Sequence, residues 1–324
     1  MYLTKKINNN YKFFLHKYYY MYYKNKYIKY KTKYLELKNI YNQTGGDKKI
    51  KLVIKKIKMV EYLDKNIYYL NNKDDDKLDS FSEFPIGSIT KLFTIISLLI
   101  LHENKKINIY ENIGKYIDND QIKNLKIIDI INHKSGFINL CDGVTLGGSK
   151  IKYNNATEIY NKWNNNKLID TNLNGIYSYS NLGYIILGVL IEKVSDITYS
   201  DFVKQNILIP LQMNNTGIED CNITLYNYKE KKLSKYEKWE RTFASSAGEL
   251  KCCLNDLIKF SNFTTLLNDN TLKIIKDLYI FLENKEIYEI KHNGDITGGK
   301  SKFILTYHKN WKIKNIYISL ETIK

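Results

Sequence analysis

Cysteine, proline and arginine are scarce in this sequence, and a long hydrophobic run is missing. Four cysteines (Cys141, Cys221, Cys252, Cys253) stand in 324 residues with no Cys-x-x-Cys spacing and no accompanying histidine pairs, which argues against a zinc site. So few thiols in so long a chain make no disulfide framework. With no secretory signal evident, the expectation is reduced thiols in an intracellular setting. Adjacent Cys252 and Cys253 read as packing rather than redox chemistry. No segment reaches the roughly 18 consecutive apolar residues of a membrane span. The longest runs, 92–101 and 184–191, have the length of buried helices. Two prolines and one arginine, Arg241, beside abundant Lys, Asn, Ile and Tyr, match the bias of an A+T-rich genome and say little about function.

Acidic residues are also missing where the chain begins. Residues 1–60 carry sixteen lysines against Glu36 and Asp47, so +14 of the net +16 lies there and about +2 on everything else. A uniformly basic protein would point to nucleic acid as its main partner. A nearly neutral body with one basic arm argues against that as the core function. The 44% apolar and 26% charged content is that of a soluble globular protein large enough to bury a substantial core.

The basic arm covers residues 1–46. Phe13, His16, Tyr20, Tyr23, Tyr27, Tyr30, Tyr34, Leu37 and Tyr41 recur in steps of three and four, predicting a helix with one aromatic stripe that ends at Gly45-Gly46. Tyrosine suits a coiled-coil seam poorly, because each buried hydroxyl needs a partner. Three readings stand open: a helix docking its tyrosine face on the body, a tether to nucleic acid or an anionic surface, or a low-complexity extension.

From residue 47 the pattern is that of a second, globular domain. Residues 49–58 and 66–71 read as strands joined by a turn at 64–66. Helices are expected at 92–101, 124–132, 156–165, 181–194, 199–206, 254–267 and 271–278, with loops at 142–155 and an irregular charged stretch at 220–245. The runs 301–308 and 311–320 alternate and meet at Lys309-Asn310, predicting an antiparallel hairpin. Strands at both ends with helices between them imply an α+β fold. Its antiparallel sheet is assembled from about 47–105 and 285–324, and a mostly helical region at about 106–284 is inserted.

Chemistry is carried by Ser88 and Lys91, three residues apart at the mouth of the apolar helix. That spacing shares one helical face and sets a hydroxyl beside an amine at the positive end of the helix dipole, as an activated nucleophile requires. Downstream, Tyr179-Ser180-Asn181 precedes a second apolar helix, and His292-Asn293-Gly294 precedes the hairpin. In this order the three motifs resemble those of the serine β-lactamase and penicillin-binding-protein superfamily. Within it, the similarity is to the branch of class C β-lactamases, D-alanyl-D-alanine carboxypeptidases, D-amino-acid peptidases and β-lactamase-like esterases. The segments beginning at Phe84, Ile131, Tyr179, Leu187, Pro210, Ala247 and His292 all resemble that pattern and span about residues 50–320.

The resemblance implies an acyl-enzyme hydrolase of a small amide, peptide or ester, working without cofactor or metal. Ser88 would be the nucleophile, and Lys91 would lower the proton affinity of Ser88 and Tyr179. Tyr179 would relay the serine proton to the leaving group. Asn181 would hold the substrate amide, and could also cap the following helix. His292 stands where the lactamases have the lysine of Lys-Thr-Gly, and Gly294 keeps the strand edge open to substrate. The backbone N–H groups of Ser88 and Asp295 would form the oxyanion hole. His133, in its Asn-His-Lys-Ser-Gly turn, reads as structural.

Two departures matter. A histidine of ordinary pKa is mostly neutral at pH 7, so a substrate carboxylate should be held more weakly than by lysine. Lys291, its neighbour, points to the opposite strand face. The family's usual C-terminal helix over the sheet is not expected from residues 321–324, and the arm helix is the expected cover. The arm itself resembles Tyr/Lys-rich extensions of large-DNA-virus proteins. Gly45-Gly46-Asp47 resembles the Gly-Gly-x sites cut by their virion proteases, beside the plain reading of a helix stop. This keeps a second expectation open: a retired hydrolase fold serving in a virion or interaction role through its arm.

Overall fold

The computed structural model describes residues 80–138, 153–222, 244–284, 286–296 and 299–323, together with strands at 56–62, 66–70, 226–229 and 232–235. The arm, its heptad stripe, the domain boundary at 46 and residues 64–65 of the expected turn lie outside the described residues.

An antiparallel sheet is built from the two ends of the globular domain. Its strands are β1 (Lys56–Tyr62), β2 (Asn66–Leu70), β9 (Phe281–Glu283), β10 (Ile287–Ile296), β11 (Gly299–His308) and β12 (Ile313–Ile323). They lie in the order β2-β1-β12-β11-β10-β9. β11 and β12 are the expected hairpin, and β1 returns along β12 with Lys56 opposite Ile323. The alternation that predicts these strands is visible in burial: Phe303, Leu305 and Tyr307 point into the core, while Lys302 is exposed. Of the strand expected at 49–58, residues 49–55 lie outside the described residues; 56–58 belong to β1, whose pairing with β12 sets its register.

The core of the molecule is α1 (Thr90–Glu103), whose residues from Thr90 to Leu101 are all buried. A helix apolar on every side must be covered on every side. α4 (Asn181–Ser195), equally apolar, packs on one side of it. Phe93 stacks on Phe260 of α6 (Leu254–Phe260) at 4.1 Å between ring centroids, and Phe260 in turn meets Phe303 of the sheet at 5.8 Å. The remaining α-helices among the described residues are α2 (Ile127–Ile131), α3 (Ala156–Trp163), α5 (Tyr199–Val203) and α7 (Asp269–Ile274).

Several expectations are corrected by tertiary pairing. The stretch 220–245 contains a hairpin, β6 (Tyr226–Lys229) with β7 (Lys232–Lys235). The helix expected at 254–267 stops at Phe260 and resumes only as a 3₁₀ turn, Phe263–Leu266. Three-residue strands β3 (Glu83–Pro85), β4 (Ser135–Phe137) and β8 (Lys251–Cys253), with β5 (Ile169–Asn174), are too short or too polar to show a period. Two of them position the site. β3 pairs with β8, placing Phe84 opposite Cys252, and the buried Glu83–Lys251 ion pair (2.6 Å) closes that pairing.

Family-like motifs far from Ser88 prove to be joints. Glu192, closing the Leu187 segment, accepts hydrogen bonds from Ala156 N (3.0 Å), Thr157 N (2.9 Å), Thr157 Oγ1 (2.6 Å) and Tyr199 N (3.1 Å). One carboxylate thus satisfies the otherwise unpaired N–H groups that begin α3 and α5. Asp256 does likewise for Asn215 N and Thr216 Oγ1 in the Pro210 segment.

Candidate active site

Ser88 lies in a 3₁₀ turn, Gly87–Ile89, that leads straight into α1. Gly87 has φ +51°, a left-handed conformation that glycine adopts without strain, and this swings the chain from β3 into the helix. Lys91 in the first turn of α1 is 0% exposed. Its Nζ donates to Ser88 Oγ (3.1 Å), Asn181 Oδ1 (2.7 Å) and Ala247 O (2.6 Å). Three acceptors around one nitrogen match the three N–H donors of an ammonium. The rings of Tyr179 and Tyr184 add cation–π contacts, with centroids at 5.0 and 5.4 Å.

Tyr179 donates its OH to Ser88 Oγ at 2.7 Å. Burial pushes its phenol up to about 12, outweighing the opposing hydrogen bond with Ser88. The expected lowering of its proton affinity is therefore corrected: Tyr179 is a neutral phenol at physiological pH. Asn181 is also corrected in one respect. The helix cap is Ser180, whose Oγ accepts from Gly183 N at 3.2 Å, and Asn181 is the first helical residue, its amide oxygen accepting from Lys91 Nζ.

The opposite wall is the edge of β10. β9 covers β10 only as far as Ile290, and the last bond on that edge runs from Lys291 N to Ile280 O. Backbone N–H groups alternate in direction along a strand, so those of Asn293 and Asp295 leave by the same outer edge as that of Lys291. This edge faces the Ser88 turn. A Cβ built on Gly87 would stand 3.1 Å from Asp295 N, which brings that donor beside the Ser88 turn. The Asp295 side chain points away, 79% exposed, with Lys300 Nζ 4.0 Å from its carboxylate. Lys291 is likewise turned outward and pairs with Glu289 at 3.2 Å.

Gly294 has a reason other than the one expected. A Cβ there would meet Ile86 O at 2.0 Å and Ser301 Oγ at 2.2 Å, so glycine lets β10 press against the backbone preceding Ser88. His292 is brought to the site but is occupied. Its Nδ1 shares a 2.7 Å hydrogen bond with Asn293 O, and its Nε2 lies 2.8 Å from Tyr279 OH. A carbonyl can only accept, so the proton sits on Nδ1 and Tyr279 donates to Nε2. Burial, then the Lys91 charge, lowers its pKa to about 3. The imidazole is neutral, as expected, and presents no cation.

Ala247 and Tyr279 are the members that sequence reasoning did not assign. Ala247 acts through its carbonyl, which leaves no side-chain signature. Tyr279 follows a helix end, and its N–H is held by Asn132 Oδ1 at 2.8 Å.

A family model, beta-lactamase, matches residues 61–278, well over half of the sequence. The chain belongs to the beta-lactamase family. Among curated proteins, it is 26% identical over 156 residues to a penicillin-binding protein of Bacillus subtilis (strain 168), covering 46% of this chain and 34% of that protein. It is 25% identical over 186 residues to protein flp of Staphylococcus aureus (strain MW2), covering 53% and 34%. The matches thus span about a third of the relatives' length. Among solved structures, the penicillin binding protein from Bacillus halodurans superposes with a TM-score of 0.66 at 15% identity, covering 82% of this chain and 90% of that one. The D-amino acid amidase from Ochrobactrum anthropi SV3 gives 0.65 at 19% identity, covering 82% and 85%. These likenesses share the beta-lactamase/transpeptidase fold, as the three motifs predict. Among the described residues, no helix of this beta-lactamase-family chain is long and apolar enough to cross a membrane.

Proposed function

We propose that this protein is a serine hydrolase acting through an acyl-enzyme on small uncharged amides or esters. The observation that carries the reading is one hydroxyl, Ser88 Oγ, placed at once 3.1 Å from Lys91 Nζ and 2.7 Å from Tyr179 OH. Ser88 Oγ attacks the substrate carbonyl, and the developing oxyanion is met by the N–H groups of Ser88 and Asp295. Tyr179 turns its O–H from Ser88 to the leaving group; the Ser88 proton passes to the Tyr179 oxygen on attack, and the Tyr179 proton passes to the leaving group as the C–O or C–N bond breaks. Tyr179 is neutral before and after, which its raised pKa favours. Lys91 holds the Ser88 oxygen in place and supplies positive charge against the Tyr179 ring. Water then takes the place of the leaving group, and the same relay runs in reverse.

Neutral substrates are favoured because His292 carries no charge and both its ring nitrogens are engaged. Exposed Tyr177, its ring 6.3 Å from that of Tyr279, offers apolar surface beside the site. The D-amino acid amidase among the structural neighbours was crystallised with phenylalanine, and an amide of that kind belongs in the first substrate panel. The test is intact-protein mass after incubation with a penicillin, a D-amino-acid amide, a D-alanyl thioester and a short activated ester, with Ser88→Ala alongside. A gain of one acyl group on the native protein but not the variant supports the reading. No adduct and no turnover with any donor refutes it.

A further inference from the structure

Beneath Tyr179 lies His133, a residue that its sequence context marks only as part of a turn. It follows α2 with φ +57°, a left-handed conformation uncommon outside glycine, and is 2% exposed. Its contacts converge on one neighbour. His133 O accepts from Ser178 N at 2.7 Å, and His133 Nδ1 accepts from Ser180 N at 3.1 Å. The two N–H groups on either side of Tyr179 are therefore both fixed by the same residue. The imidazole also lies against the Tyr179 ring, with centroids at 4.5 Å and planes inclined by 36°.

The second ring nitrogen sharpens the point. Nδ1 accepts from a backbone N–H, so the proton of the neutral ring is on Nε2. That nitrogen is buried with no hydrogen-bond partner among the described residues. The rings of Tyr177 and Tyr279 stand at 80° and 69° to the imidazole, and that of Tyr184 is inclined by 36°. An unpaired buried donor is costly, and phenylalanine would fill the same space without it. Histidine is explained by the other nitrogen. It is a flat ring to lie against Tyr179 and an acceptor for the next peptide N–H in one side chain.

We propose that His133 is the positioning residue of the proton relay, fixing the Tyr179 phenol at hydrogen-bond distance from Ser88. This rests on the reading of Tyr179 given above. Lys91 and His292 are the charged or titratable groups facing it besides the tyrosines, and burial keeps its own imidazole neutral with a pKa of about 3. It acts by geometry and not by titration. A misplacement of about 1 Å at the reacting atoms costs about 100-fold in rate, which sets the scale of the effect.

The experiment is a double-mutant cycle with the activated ester, comparing wild type, His133→Phe, Tyr179→Phe and the double variant, each checked by melting temperature. His133→Phe keeps a ring and loses the acceptor. It should lower kcat by about 10- to 100-fold with KM nearly unchanged. On the Tyr179→Phe background the same change should be silent, within about 2-fold, because no phenol remains to place. His133→Asn restores an acceptor near Nδ1 and should recover part of kcat; it also serves if the phenylalanine variant folds poorly. Equal losses on both backgrounds mean a merely structural role and overturn the proposal, as does a His133→Phe enzyme with native kcat. A Tyr179→Phe enzyme as fast as wild type overturns the relay itself, a result distinct from either.

Discussion

Removing the Tyr179 hydroxyl separates catalysis from stability more cleanly than any other change at this site. Tyr179→Phe deletes a single oxygen and leaves the ring, so the contact with His133 and the cation–π contact with Lys91 persist. Ser88 Oγ loses one hydrogen bond of 2.7 Å but keeps the one from Lys91 at 3.1 Å, so no buried acceptor is stranded. The stability cost is then that of one neutral hydrogen bond, about 1 kcal/mol. In a domain of this size that lowers Tm by about 2–4 °C. The rate is another matter. A relay that carries the serine proton to the leaving group is worth about 10²- to 10⁴-fold, or about 3–5 kcal/mol of barrier. The assay is burst and steady-state release from an activated ester, beside a thermal melt of the same preparation. Acylation within tenfold of wild type would refute the relay. A Tm drop well beyond 4 °C would show that the hydroxyl is a structural bond first.

Other outcomes follow from the same geometry. Gly294→Ala drives a methyl into Ile86 O and Ser301 Oγ; overpacking of about 1–3 kcal/mol should force β10 off the Ser88 turn, lowering kcat/KM together with Tm, and a variant with native kcat/KM would contradict the close approach. Glu192→Gln keeps one acceptor oxygen for the N-termini of α3 and α5 and should lose about 1–3 kcal/mol in a denaturant titration while kcat stays near native, because the joint is remote from Ser88. His133 and His292 each have a folded pKa of about 3 against about 6.5 unfolded. The unfolded chain therefore binds protons that the folded chain refuses as pH falls below 6.5. Their contribution to stability is fully present above pH 6.5 and is lost as pH falls toward 3. A Tm unchanged between pH 7.5 and 5.5, a window in which ordinary carboxylates barely titrate, would show that these imidazoles are not held neutral.

Features written in short-range pattern are legible in the residues before any fold is known. Ser88 and Lys91 share a helical face because of their spacing, and the apolar runs beginning at Leu92 and Tyr184 are buried helices because no polar face is available to solvent. The alternation in 301–308 and 311–320 makes a hairpin for the same local reason. The order of the three motifs carried the family. Tertiary structure decided what depends on approach between distant segments. It brought the Ala247 carbonyl to Lys91 through the β3–β8 pairing, ended the pairing of β9 with β10 at Ile290, and engaged both nitrogens of His292. It also set the protonation of Tyr179, because desolvation depends on what surrounds a group and not on its sequence neighbours. His133 shows the division most plainly. Its turn is legible in Asn-His-Lys-Ser-Gly, but its hold on both peptide N–H groups flanking Tyr179 exists only once residues 133 and 180 are folded together.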